Sequence, residues 1–238
     1  MGKNNWFRFK QFTIIQEHAA MKVGLDGVLL GAWADIDQCS AILDIGTGTG
    51  VIALMAAQRS SARITAIEID ELAYREAMIN ASNSPWSERV HIQRISFQEF
   101  SECCHARFDG IISNPPFFDC DTHSADKRRK TARHTGDLTF TDLMQGVMRL
   151  LSPEGSLSVI VPARNLDKIV AAAEKSALFP NRITHVKPNP AKKIHRCMIT
   201  FSARNGPPEE DTLLIESLVH GDYTEEYQSL TRDFYLAF

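Results

Sequence analysis

The chain has no uninterrupted apolar run of membrane-spanning length, and its opening, MGKNNWFRFK, is basic without an apolar segment behind it. The first absence argues against a transmembrane helix and the second against a secretory signal, so a cytoplasmic location is expected. The five cysteines (Cys39, Cys103, Cys104, Cys120 and Cys197) are odd in number and never spaced CxxC. That removes the usual zinc and disulfide frameworks, and no metal is assigned. Internal repeats and low-complexity tracts are missing as well, which excludes repeat arrays. There is no overall excess of positive charge: the net is −3, which taken alone disfavours a nucleic-acid partner. The distribution reverses that inference. Between Asn205 and Thr231 lie seven acids and no Lys or Arg, and setting those seven aside turns −3 into +4 for the remainder.

What is present fits one substantial soluble domain with small appendages: 238 residues, 44% apolar and 23% charged. Residues 6–16, WFRFKQFTIIQ, alternate aromatic and polar side chains as a short hairpin does. Residues 26–34, DGVLLGAWA, are expected to form a helix with Asp26 at its N-cap. From Ser40 onward, strand-like runs (AILDI, ARITAIEI, VHIQRI, FDGIIS, GSLSVIVP) alternate with helix-like ones, and RITHVKP and HRCMITF lie close enough to pair antiparallel. This predicts an α/β, Rossmann-like, doubly wound and mostly parallel sheet with helices on both faces. The expected divisions are 1–36, a hairpin and lid segment; 37–204, the ligand-binding domain; and 205–238, an acidic linker and C-terminal extension of the same domain.

After the first strand comes Leu43-Asp44-Ile45-Gly46-Thr47-Gly48-Thr49-Gly50. Dinucleotide-binding turns space their glycines as GxGxxG, whereas this turn reads GxGxG, with Val51 where the third glycine should fall. Asp44 precedes the turn, where a pyrophosphate would find it repulsive. Glu68, at the end of the second strand, suits a carboxylate that accepts both hydroxyls of a ribose. Asp70 fits the following helix N-cap instead. A nucleoside with a cationic, phosphate-free tail is S-adenosylmethionine. Ser96 and Phe97 end the third strand, where its adenine would lie. The rule that ligands sit beyond the C-terminal strand ends of open α/β sheets gathers Asp44, Glu68, Ser96 and Asn114 into one crevice.

The fourth strand ends in Ile111-Ile112-Ser113-Asn114-Pro115-Pro116-Phe117-Phe118. A buried strand has no need of an amide, two prolines and two aromatic rings; a flat ligand carrying hydrogen-bond donors does. With these motifs the sequence resembles the class I S-adenosylmethionine-dependent methyltransferases over about residues 40–205. Within them it is similar to the branch whose fourth strand ends in Asn/Asp-Pro-Pro-aromatic and which methylates planar amino nitrogens. The resemblance implies a seven-stranded sheet with the last strand antiparallel. It also implies a catalytic set of Asn114, Pro115 and Phe117: the Asn114 amide oxygen and the Pro115 carbonyl each accept one N–H of the substrate, and Phe117 stacks on it. Cofactor contacts are expected from Asp44, Gly46, Gly48, Gly50, Glu68, Ser96 and Phe97. Lys22 and Asp26, in the segment KVGLDG, would pack over the cofactor's methionine end.

Two basic clusters flank this chemistry. Lys127, Arg128, Arg129, Lys130 and Arg133 follow the proline stretch, and Lys192, Lys193 and Arg196 surround the final hairpin. Cations beside an aromatic platform suit a looped or flipped-out RNA base. Over its whole length the chain also resembles the bacterial valine-tRNA adenine-N6 methyltransferases, which modify the adenosine 3′ of the anticodon. That implies a tRNA anticodon loop as partner; a monomer or weak oligomer is expected. The alternatives are a glutamine N5-methyltransferase of release factors, a ribosomal-RNA guanine-N2 methyltransferase, and a non-catalytic RNA-binding scaffold.

Overall fold

In the computed structural model, which describes residues 4–115 and 138–238, the strand–helix alternation from Ala41 onward builds an eight-stranded sheet. Ahead of it, β1 (Trp6–Arg8) and β2 (Thr13–Ile15) pair as a separate antiparallel hairpin, followed by α1 (Leu25–Trp33). Then come β3 (Ala41–Ile45), α2 (Val51–Arg59), β4 (Arg63–Glu68), α3 (Glu71–Ser82), β5 (Val90–Arg94) and α4 (Phe97–Cys103). The second half runs β6 (Phe108–Ser113), α5 (Phe140–Leu150), β7 (Leu151–Pro162) and α6 (Leu166–Glu174). It closes with β8 (Phe179–Lys187), β9 (Arg196–Ser202), β10 (Glu209–Leu214) and α7 (Glu225–Thr231).

Across the sheet the order is β10-β8-β9-β7-β6-β3-β4-β5. Every neighbouring pair is parallel except the two made by β9. The seven expected strands are therefore present with the seventh antiparallel, and the C-terminal extension contributes an eighth, β10, beside β8. Its acids lie on a solvated edge, where Glu210 meets His185 and Asp211 meets Arg182. Central strands are buried on both faces because alternate side chains feed two separate cores. Ile42, Ile64, Ile112 and Ile160 pack with α1 and α2 on one side, and Leu43, Ile67, Ile111 and Val159 pack with α5 and α6 on the other.

The helix over 26–34 begins at Leu25 and its cap is Gly24, not Asp26, which falls in the first turn. Gly24 is extended and has no side chain, so the first turn carries no side-chain cap bond. The N-terminal hairpin is joined to the sheet domain by two buried polar side chains of α3. Glu76 accepts the backbone N–H groups of Glu17 (2.7 Å), His18 (2.7 Å) and Ala19 (3.0 Å). Asn80 accepts from the Ile15 amide at 2.8 Å and donates to the carbonyls of Ile15 and Thr49, each at 2.9 Å. The C-terminal tail completes the junction: Lys10 donates from its backbone to Phe234 and from its ammonium to the carbonyls of Arg232 and Phe238.

A carboxylate gripping three backbone donors is worth more than its neutral amide, whose NH2 group would face an N–H. Glu76→Gln should lower unfolding free energy by about 2–4 kcal/mol in urea titration. A loss below about 0.5 kcal/mol would show that the clamp does not hold the hairpin.

Candidate active site

Register places the site. Ser113 of β6 pairs with Ile45 of β3, and Ile45 pairs with Ile67 of β4. One residue further along each strand, Asn114, Gly46 and Glu68 stand level at the C-terminal edge, on strands about 4.8 Å apart. Between β3 and β6 the strand order also reverses, so this edge is the topological switch point.

The turn after β3 is built for close approach. Gly46, Gly48 and Gly50 have φ of +69°, +57° and +87°, a region open to glycine and strained for other residues. A Cβ added at Gly46 or Gly48 would meet nothing within 4 Å, whereas one at Gly50 would touch Ala77 at 3.6 Å. The first two glycines thus border open space, and the third lets α2 pack against α3. Glu68 ties the turn to β4: one carboxylate oxygen accepts from the Gly48 amide at 2.8 Å, the other from Ile69 (2.8 Å) and Asp70 (2.9 Å). Of roughly four acceptor positions on a carboxylate, three are used by backbone, and a second becomes free for a diol if Gly48 lets go. Asp70 caps α3 through the Ala73 amide.

Asp44 is fully buried, with one carboxylate oxygen held by the Thr47 hydroxyl at 2.6 Å and the other without a hydrogen bond. Burial pushes its pKa up from 3.8 to about 7, against the lowering effects of the Thr47 hydroxyl and the Ala53 amide, and Glu68 adds repulsion. The Ala53 amide acts here as a nearby dipole, since it makes no hydrogen bond of ordinary geometry to the orphaned oxygen. Across the crevice, the Asn114 amide oxygen is likewise buried and unpartnered. An acceptor shut away from water and left unmade is costly unless a ligand completes it.

The other expected residues divide. Ser96 caps α4 by accepting from the Glu99 amide at 3.2 Å, next to the end of β5. The Phe97 ring is packed in the core, so close to Gly146 that a Cβ there would lie 2.5 Å from the ring. Asp26 is paired with Arg196 of β9 (2.8 Å), in a helical turn that adjoins Val51 at the start of α2. Lys22 is exposed and donates to the Asn4 carbonyl at 2.9 Å. Lys192 and Lys193 are exposed in the β8–β9 turn, at the same sheet edge as Asn114. Pro115 is buried. Phe117 and the cluster Lys127, Arg128, Arg129, Lys130 and Arg133 lie outside the described residues. Sequence reasoning missed Thr47, which holds Asp44, and Asn80, which holds the turn through Thr49; the one signal for Asn80 was an amide among the alanines of α3.

Sheet order, glycine turn and orphaned amide define a Rossmann-like methyltransferase domain. The methyltransferase small domain family matches residues 28–172, and the chain belongs to that family. A tRNA1(Val) (adenine(37)-N6)-methyltransferase of Trichodesmium erythraeum is 45% identical over 100% of this chain and 100% of its own. A relative of the same name from Parabacteroides distasonis is 41% identical over 98% of both chains. Among solved structures, one described as a predicted O-methyltransferase from Agrobacterium tumefaciens shares the fold, with TM-score 0.69 at 20% identity, covering 88% of this chain and 96% of that one. The cofactor of the fold is S-adenosylmethionine. The residues fit it: open space over Gly46 and Gly48 admits a nucleoside, and the unpartnered Asp44 oxygen suits a cationic tail. Among the described residues no His/Cys/Asp/Glu cluster could hold a metal ion.

Because Asp44 titrates higher in the fold than unfolded, ionising it between pH 3.8 and about 7 destabilises the free protein as pH rises. A cationic ligand supplies the missing countercharge. Calorimetry with S-adenosylmethionine should show affinity falling about tenfold per pH unit below about 7, from one linked proton. Asp44→Asn should flatten that slope and melt higher than the parent at about pH 8; an unchanged slope would remove Asp44 from cofactor binding.

Proposed function

We propose that the chain transfers a methyl group from S-adenosylmethionine to the exocyclic N6 of the adenosine on the 3′ side of the anticodon in valine tRNA. The observation that carries this reading is the buried, unpartnered Asn114 amide oxygen, level with the glycine turn. An amino group on an aromatic ring is a weak nucleophile because its lone pair is delocalised into the ring. If Asn114 Oδ1 and the Pro115 carbonyl each accept one of its hydrogens, the nitrogen is drawn toward a tetrahedral form and its lone pair becomes available. Those two bonds strengthen as positive charge develops on nitrogen, so they favour the transition state over the ground state. Pro115 holds its own φ near −65°, which steadies the carbonyl. The bound cofactor supplies an electrophilic methyl group on a sulfonium. The methylated nitrogen then loses its extra proton to water, and no side chain is needed as a base.

Support for tRNA comes from the full-length relatives, together with the exposed Lys192 and Lys193 at the catalytic edge. Phe117 as stacking platform and the 127–133 cluster as phosphate contacts belong to the same proposal, as does a cytoplasmic location. Among the described residues no helix is long and apolar enough to cross a membrane. The release-factor reading is disfavoured because relatives matched over their whole length carry the name tRNA1(Val) (adenine(37)-N6)-methyltransferase.

Asn114→Ala should lower turnover on valine tRNA by about 100-fold or more while cofactor affinity stays within about twofold, the pattern of a lost transition-state acceptor. Labelled methyl from the parent enzyme should appear as N6-methyladenosine on nucleoside analysis. Label recovered in a protein amide, or full turnover by Asn114→Ala, would overturn the reading.

A further inference from the structure

Beside the catalytic crevice, on the same edge of the sheet, is a cavity of about 200 Å³ that the chemistry above leaves unused. Its apolar floor is Leu29, Val186 and Ile215, all buried. The Asp26–Arg196 pair, both side chains about one-fifth exposed, lines it too, as does Glu216, equally covered and paired through one oxygen with His220. The β8–β9 turn roofs it with Pro188 and His195.

Its position follows from the register. Arg196 pairs with Pro162 of β7, and β7 is the neighbour of β6, which Asn114 directly follows. Two strand spacings separate them, about 10 Å along the edge. Exposed Leu25 lines it from the α1 side, and exposed apolar side chains adjoin its lining residues in sequence: Ile194 before His195, and Leu218 (74% exposed) and Val219 (66%) just after Glu216. Lys187 ends β8, and Lys192 and Lys193 lie on the turn that follows it. An apolar slot with carboxylate walls and a cationic fringe matches one ligand well. A nucleobase has flat faces for the floor, N–H groups for Asp26 and Glu216, and a phosphate for the lysines.

We propose that this cavity is a second base subsite, which takes the nucleotide adjoining the target adenosine once the anticodon loop is splayed over the edge. The proposal rests on the RNA reading above and extends it: the enzyme grips two bases, methylating one and reading or stacking the other. Splaying the neighbour also removes the stacking that would keep the target inside the loop. Leu29, Val186 and Ile215 form the stacking floor, and Asp26 is positioned by Arg196 to accept from the base edge.

The test combines one enzyme variant with one change in the RNA. Leu25→Trp narrows the mouth from an exposed rim position, so the fold is retained. The RNA is a synthetic valine-tRNA anticodon stem-loop, intact or abasic at the nucleotide immediately 5′ or 3′ of the target. With the parent enzyme, one of the two abasic RNAs should raise KM about tenfold with kcat little changed, the size of one lost base stack. Leu25→Trp should raise KM for intact RNA about tenfold and no longer distinguish intact from abasic RNA, since both changes remove the same contact. Calorimetric affinity for S-adenosylmethionine should be unaltered. An active parent indifferent to both abasic RNAs, or a Leu25→Trp enzyme that still discriminates, overturns the subsite and leaves the activity standing. A parent that binds cofactor yet methylates no RNA overturns the activity itself and the subsite with it.

Discussion

The alignment of three strand ends sets everything else in this molecule. Ser113, Ile45 and Ile67 are in register across β6, β3 and β4, so the next residues on each strand meet at one edge. Strand pairing has a period of two, and a slip by one residue would exchange the two core faces along the whole strand. The buried isoleucines at 42, 64 and 112 forbid that slip, because each would have to leave its core. Hydrophobic packing thereby fixes the separation between the glycine turn, the Glu68 carboxylate and the Asn114 amide. None of those three groups contributes much to that packing itself.

The site is held in a state that a ligand improves. Asp44 and Asn114 each keep a buried oxygen without a hydrogen bond, and Asp44 also resists ionisation. Such groups lower the stability of the free protein and raise the reward for filling the crevice. A supporting layer keeps them from collapsing onto other partners. Thr47 occupies one oxygen of Asp44, Glu68 spans the turn, and Asn80 ties Thr49 to the N-terminal hairpin. The hairpin is in turn clamped by Glu76 and by the C-terminal tail. Segments far apart in the chain thus brace one turn, which is how a site remains preorganised without rigid ligand contacts.

The same edge continues past the crevice to the β8–β9 turn and the start of α1, where Asp26 and Arg196, 170 residues apart in sequence, meet. That pair joins α1 to the antiparallel end of the sheet. The acidic extension adds β10 and, with it, Ile215 and Glu216 in the lining of the second cavity. An appended strand on an otherwise complete sheet thereby extends the surface along this edge.

Much of this was legible in the chain alone, for local reasons. The glycine turn, the Asp70 cap, the α2 boundaries and the strand sequence follow from side-chain period and backbone preference, which act over a few residues. The placement of residues 44, 68 and 114 at the C-terminal ends of neighbouring strands likewise follows from the strand pattern. What the sequence could not determine was pairing between distant segments. Nothing local predicts that Asp26 is taken by Arg196 instead of capping its helix, or that Phe97 turns into the core against Gly146. Nor does it foretell that Glu76 and Asn80 reach back to the hairpin, or that β10 docks beside β8. Those outcomes depend on which surfaces meet after the sheet has formed, and that is decided by long-range packing and the need to satisfy buried polar groups.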